Sequence, residues 1–495
     1  MSAVATARLA RRTLGAITPI PAVAPAEAAI VHLGLGRFHR AHQAIYTARA
    51  LDREGGPWGI VGVAGRSRRI VRALRAQDGL YSVLELGAAE PAPLVVGVHG
   101  ELLVAADEPD TVVARLADPR TRIATLTVTE QGYTARTATS VLDTDLPQVR
   151  ADLDGGQPTT TIGLLARGLQ RRRREHGEPM AIVSCDNVPR NGEHTRALVL
   201  ELVGLFEDPD GTELAEWIGS SIAFPCTVVD RIVPVTQSEH RARAAALLGC
   251  RDEAAVVAEP FCMWVLEDRF PAGRPRWEAG GAIFSDEVQR YEQLKLRVLN
   301  ATHSLIAYLG LLAGARTIAQ AVARPEIRAA AEHAIHEELL PTLQAPAGID
   351  LARYVDELFG RFANDALDHR AATVGSDGSL KLAARITAAV AHHDACGDAP
   401  RALALTAAAF IRCAATPDSY DAAGLGEITD PARDRLRELA RRARDSHELV
   451  SSAFEAGILG SSLAEAAPFV AAVGELHDVL VRLGPRAAIE AAIAG

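Results

Sequence analysis

A mainly apolar run, Ala29-Ile30-Val31-His32-Leu33, leads straight into Gly34-Leu35-Gly36 and then into helix-forming sequence. A run with so little polar alternation reads as a strand buried on both faces, and the two glycines permit a tight turn onto a helix. The pattern recurs. Strands are expected at 58–63, 81–86, 102–105, 122–128 and 181–184, with helices at 70–76, 108–116 and 161–175. Strands alternating with helices predict a mostly parallel sheet covered on both faces. Residues 1–28 read as a short leading helix followed by a Pro/Ala-rich stretch. From about residue 287 the character changes to long Ala/Leu-rich segments, at 288–311, 314–340, 379–394, 401–414, 431–447 and 464–482, broken by Pro/Gly-rich sequence at 346–348 and 396–400. These lengths suit helices. The expected fold class is α/β: a Rossmann-like dinucleotide-binding domain over residues 1–286, then a mostly α-helical domain over 287–495.

The turn Gly34-Leu35-Gly36-Arg37-Phe38-His39 stands where a dinucleotide fingerprint stands, after a strand and opening a helix. Its third glycine is replaced by His39. From the residues alone, the turn either approaches a pyrophosphate or is an ordinary strand–helix connection. The next strand ends in Ala64-Gly65-Arg66-Ser67-Arg68-Arg69, with no acid to hold a ribose diol. Those arginines either accommodate a 2′-phosphate or face water.

Of 52 cationic Lys and Arg side chains only Lys295 and Lys381 are lysine, the cation able to release a proton near neutral pH. Lys295 lies in a helix expected over 291–310 and apolar enough to line a cleft. At 100° per residue Glu292, His303 and Asn300 fall about 60°, 80° and 140° from it, spread over ~16 Å of helix. A hydride transfer needs a base, donors for charge developing on oxygen, and a placed nicotinamide. Lys295 suits the first role and Asn300 the second, and His303 either positions substrate or orients the lysine. Glu292 either relays the proton or pairs with Lys295 on the helix surface.

Several blocks, taken in order, carry a resemblance. They are Gly34-x-Gly36-x-Phe38-His39-Arg40-Ala41-His42, Gln77-Asp78-Gly79-Leu80-Tyr81, Leu126-Thr127-Val128-Thr129-Glu130-Gln131-Gly132-Tyr133 and Ser184-Cys185-Asp186-Asn187-Val188-Pro189. Further on come Asn191-Gly192, Phe224-Pro225, Val229-Asp230-Arg231-Ile232, Trp264-Val265-Leu266-Glu267-Asp268 and Lys295-Leu296-Arg297-Val298-Leu299-Asn300-x-x-His303-Ser304. As a set they resemble the mannitol dehydrogenase and hexuronate reductase family of long-chain polyol dehydrogenases. The resemblance implies a metal-independent enzyme that interconverts a sugar alcohol and a ketose, D-mannitol and D-fructose first. A fructuronate or tagaturonate reductase, or a D-arabinitol dehydrogenase, is the alternative, and a nucleotide-binding sensor without turnover is the non-enzyme one. It implies Lys295 as base, Asn300 with Asn191 as an oxyanion-stabilising pair, and His303, Asp230 and Lys381 at the substrate. Gly34, Leu35, Gly36, Arg37, Phe38, Arg66 and Val229 fall on the cofactor side. NAD is the expected cofactor, with NADP tolerated. One departure stands out: Thr373-Val374 occupies the place of a family Arg-Ile pair, so Thr373 enters the substrate set and Arg370 is the candidate to compensate.

Other chemistries find little support. His392-His393-Asp394-x-Cys396 holds ligand-capable atoms without a second cluster, so no metal is expected. HExxH, a P-loop and a nucleophile elbow are absent. The six cysteines form no CxxC and read as free thiols of a reducing cytoplasm. The first 29 residues do not read as a signal peptide, and no apolar stretch of about 20 residues reads as a membrane span. With a net charge of -10, a broad nucleic-acid surface is disfavoured, and the Arg171–Arg174 run reads as a solvated helix end. The expected partner is a small molecule, with no nucleic acid, membrane or obligate protein.

Overall fold

The computed structural model describes residues 7–15, 17–87, 93–136, 141–207, 210–415 and 426–494. Neighbouring residues along each central strand feed two different cores. Ile30, Ile60, Leu102 and Ile123 pack on one side of a sheet, and Val31, Val61, Leu103 and Ala124 on the other. This alternation explains the continuous apolar runs: both faces are covered, so neither side of the strand is polar. The sheet comprises β1 (Ile30–Leu33), β2 (Ile60–Ala64), β3 (His99–Val104), β4 (Ile123–Leu126), β5 (Met180–Ser184) and β6 (Ile222–Ala223). Every pairing is parallel and the spatial order is β3-β2-β1-β4-β5-β6. The chain therefore reverses direction of winding between β1 and β4. In doubly wound sheets the crevice outside those two carboxyl ends is where dinucleotides lie. Two three-stranded sheets accompany it, one of them built from Thr227–Asp230, Met263–Leu266 and Ile283–Phe284.

Contacts group the chain into two units, Met1–Val288 and Gln289–Gly495. The second is helical. Arg401–Ala415 is buried nearly all round, from Ala402 through Ala415, and its core neighbours include Phe469, Val473 and Leu476 of the Ala467–Ile493 helix. A helix apolar on every side belongs at a domain centre. Its N-terminus is fastened by Glu338, 4% exposed, whose two carboxylate oxygens accept the N–H groups of Ala402 (2.7 Å) and Leu403 (2.9 Å). Burial pushes the Glu338 carboxyl up to about 7, against the pull of those two bonds.

The structure departs from several sequence expectations. The leading helix is only a single turn, Arg11–Thr13, while residues 1–6 lie outside the described residues. The segment expected at 431–447 is two helices, Arg433–Arg442 and Ser446–Glu455, the second restarted by an Asp445 cap on the Glu448 N–H at 2.9 Å. A further helix, Leu351–Phe362, follows an Asp350 cap. The last helix runs on to Ile493 through a kink at Gly484-Pro485, where Gly484 has φ 83°. Helix 288–311 is also not uniform. A seven-residue π segment, Lys295–Ala301, separates α-helical Val288–Leu294 from Thr302–Leu312.

Candidate active site

The candidate residues divide between the two units. In the first unit, Gly34 sits at φ 108° and its N–H reaches Val63 O at 2.9 Å. A Cβ here would lie 2.1 Å from Thr127 O, so only glycine lets the turn close against the end of β4. Gly36 is the opposite case. It is exposed, and a Cβ on it would meet only Gly34 O, at 3.6 Å. That open face leaves room for a ligand to approach the backbone, the fit required of a pyrophosphate. Leu35 is buried, Arg37 is exposed, and Phe38 stacks on His42 at 4.9 Å. The buried Arg40 returns to the turn, with Nε donating to Gly36 O at 3.1 Å.

At the end of β2, Arg66 is exposed, whereas Arg68 is held by Asp107, Nε to Oδ2 2.7 Å. The loop after β4 is strained. Thr129 has φ 67°, unfavourable for a β-branched residue, and the Asp186 carboxylate holds it there by accepting the N–H groups of Val128 and Thr129, each at 3.0 Å. Tyr133 Oη also donates to Asp186, at 3.0 Å.

Asn191 is 1% exposed and braces the ends of two strands. Its Nδ2 lies 3.1–3.2 Å from Ser184 O, Asp186 O, Thr227 O and Thr227 Oγ1, while its Oδ1 accepts the Thr227 N–H at 2.9 Å. Two amide hydrogens already face four acceptors, so a substrate oxygen must displace one of them to use this donor. Val229 and Asp230, at the end of their strand, are both buried. Gln77 is structural, donating to Asp252 at 2.7 Å and to Leu80 O at 2.9 Å.

In the second unit, Lys295 opens the π segment at 8% exposure, with Glu292 and Asn300 half-buried. The 100° wheel fails across this segment. An i→i+5 turn carries the residue five on to the place that the residue four on holds in an α-helix. Asn300 is thereby brought over Lys295 instead of lying about 140° away. His303, 8% exposed, packs against Phe362 (ring centres 5.1 Å) and His369 (4.9 Å), and its Nε2 has no hydrogen-bond partner among the described residues. Burial first, then His369, Arg385 and Arg361, hold it neutral, well below the usual histidine range. Arg385 Nη1 donates to Ser304 Oγ, beside His303. Lys381 is half-buried and its Nζ reaches Ser376 O (3.0 Å) and Asp377 Oδ2 (3.3 Å). Thr373 is exposed, and Arg370 is turned to Asp368 at 3.1 Å.

Sequence reasoning missed Arg361, Arg385 and His369. A signal existed for Arg385, which stands one helical turn beyond Lys381 on the same face. His393 bonds Glu338 O at 3.0 Å, and among the described residues no group of three or more His, Cys, Asp or Glu side chains could hold a metal ion. No described helix is long and apolar enough to cross a membrane.

Residues 28–279 match the mannitol dehydrogenase Rossmann domain, and residues 287–479 the mannitol dehydrogenase C-terminal domain. The chain belongs to the mannitol dehydrogenase family. Its two-part architecture, a Rossmann-like domain and then a mostly helical one, is that family's, as the sequence blocks led us to expect. A D-mannonate oxidoreductase of Escherichia coli (strain K12) is 37% identical over 94% of this chain and 96% of its own. A mannitol 2-dehydrogenase of Pyrenophora tritici-repentis is 35% identical over 93% of this chain and 81% of its own. The mannitol 2-dehydrogenase of Pseudomonas fluorescens, solved as a ternary complex with NAD and D-mannitol, superposes with a TM-score of 0.86 at 32% identity, covering 98% of this chain and 99% of that one.

Proposed function

We propose that this family member is an NAD-dependent oxidoreductase that interconverts a sugar alcohol and a ketose, with D-mannitol and D-fructose the reference pair. The observation that carries the reading is its end-to-end likeness to a mannitol 2-dehydrogenase that holds NAD and D-mannitol. Gly34, Leu35, Gly36, Arg37, Phe38, Arg66 and Val229 are the residues proposed to hold the dinucleotide, and the exposed backbone at Gly36 supports that fit. NAD, when bound, supplies the hydride acceptor. Lys295 takes the hydroxyl proton at the carbon being oxidised, and the Asn300 amide donates to that oxygen as charge develops on it. The π turn supports this division of labour, since an i→i+5 turn puts residues five apart on one face of the helix. His303, neutral and with Nε2 unsatisfied, positions a substrate hydroxyl, and Asp230, Lys381 and Thr373 complete the proposed substrate set. Asn191 is the second oxygen donor, and Glu292 passes the proton on. Because the base and donors are side chains of the chain itself, the reaction is proposed to run without a metal. The test is NAD reduction with D-mannitol and NADH oxidation with D-fructose, before and after dialysis against a chelator. No turnover in either direction refutes the reading, and loss of activity on chelation refutes metal independence.

A second reading, reduction of a hexuronate, has its own support. A carboxylate entering a water-poor site demands a cation. Arg370 is engaged elsewhere, but the charges of Arg361 and Arg385 both act on His303, and the D-mannonate oxidoreductase is a relative. A kcat/KM for fructuronate or tagaturonate at least about tenfold above that for fructose, on the scale of one charge-assisted hydrogen bond, selects this reading.

A further inference from the structure

His39 fills the position that the dinucleotide fingerprint reserves for its third glycine, where a missing side chain lets helix and strand pack closely. Here the space is occupied. The His39 ring lies flat on that of His32, with centroids 3.4 Å apart and planes 11° from parallel, and both side chains are fully buried. His32 stands on β1, and its two nitrogens span the crevice. Nδ1 bonds Thr125 Oγ1 on β4 at 2.7 Å, while Nε2 lies 2.9 Å from Thr127 Oγ1 and 3.0 Å from Gly34 O. Thr127 Oγ1 itself donates to Gly34 O at 2.7 Å. One ring thus ties together the loop after β1 and the loop after β4, the two lips between which the dinucleotide is proposed to lie.

His39 backs that ring. It is anchored on its far side by His99 of β3, Nε2 to Nε2 3.0 Å, and by Gln43 Oε1 at 3.3 Å. Two ring nitrogens this close must share one proton, one donating and the other accepting. Burial keeps His32 and His99 neutral down to about 3, so the tie holds throughout the ordinary pH range.

We propose that His39 is a positioning residue for the dinucleotide: it plates His32, and through it fixes the distance between Gly34 and Thr127. This rests on the reading that the Gly34 turn binds NAD. Removing the plate takes away the ring against which His32 stacks, which loosens its hold on the Gly34 carbonyl and the Thr127 hydroxyl.

His39→Gly restores the usual three-glycine spelling, so a requirement for small size and a requirement for the plate give opposite outcomes. His39→Phe keeps a flat ring and loses the bonds to His99 and Gln43. NADH binding is read by fluorescence titration, and steady-state kinetics give KM for NAD apart from kcat. The expected result is a Kd for NADH and a KM for NAD about tenfold higher in His39→Gly than in His39→Phe, with kcat at saturating NAD within about twofold. If His39→Gly does not fold, His39→Ala takes its place in the same comparison. Equal NADH affinity in the ring-bearing and ring-less variants overturns the proposal, as does a loss confined to kcat. Wild-type protein that fails to bind NADH refutes the cofactor reading itself, before any variant is compared.

Discussion

Replacing Glu338 with glutamine removes a buried titratable group while keeping an oxygen to accept one of the two helix N–H groups. Glu338 titrates at about 7 in the folded chain against an ordinary 4.5. Below pH 4.5 it is protonated in both states and has no effect on their balance. As pH rises, the unfolded chain loses this proton first, so the folded state is progressively disfavoured until pH passes about 7. The linkage amounts to roughly 3 kcal/mol at most. The groups around it, His333 at 3.7 Å, His393, Asp398 and Arg401, are common to both proteins. The measurement is urea unfolding of wild type and Glu338→Gln at pH 5, 6, 7 and 8, followed by the helical circular dichroism signal. The difference in unfolding free energy between them is expected to tilt towards the variant by about 2–3 kcal/mol across the range. A constant difference refutes the reasoning. A tilt in the opposite direction shows that the two backbone bonds and the helix dipole outweigh burial, holding the carboxylate ionised.

Lys295→Met is expected to lower kcat by ~10²–10⁴-fold with NADH affinity unchanged, and Lys295→Arg to fail nearly as badly because guanidinium does not release its proton. Both are checked by steady-state kinetics beside NADH titration. Asn300→Ala is expected to lower kcat by ~10²–10³-fold with little change in NADH binding, and wild-type kcat refutes its donor role. Gly34→Ala puts a methyl 2.1 Å from Thr127 O. It is expected to weaken NADH binding by about tenfold or more, in a protein whose helical signal is preserved. Asn191→Ala is expected to lower melting temperature and kcat together, since the same amide braces Ser184 to Thr227, and a fall in kcat alone marks it as a donor only.

The central strands were legible because burial on both faces writes the same apolar run at Ile30, Ile60 and Ile123. The Gly34 turn was legible because only glycine satisfies its backbone. The helices of the second unit showed in composition, but their interruptions did not. Asp445 and Asp350 are ordinary caps that a closer reading of local signals finds. The π segment leaves no such mark, since its residues suit an α-helix equally well and the choice is made by packing. The polar arrangements were beyond reach for a different reason. His32 meets Thr125 and Thr127 across more than ninety residues of chain, and Arg361 and Arg385 approach His303 from two other segments. Asn191 was found by resemblance, but its saturation by four acceptors depends on strands that sequence does not pair.

The π segment also makes the helix sensitive to length rather than to chemistry. An i→i+5 turn stores one residue more than an α turn, so the stretches before Lys295 and after Ala301 run out of phase, like a screw thread cut in two passes. Deleting one residue within 295–301 lets the thread run true. Every side chain beyond the deletion then turns by about 100° relative to those before it. Tyr291 and Leu294, buried before the segment, and the buried face from Leu305 to Leu311 after it cannot both keep their places after that rotation. A substitution at Arg297 or Val298 leaves the offset intact, whereas deletion of Val298 leaves every named functional side chain present and sets the two ends of the helix against each other.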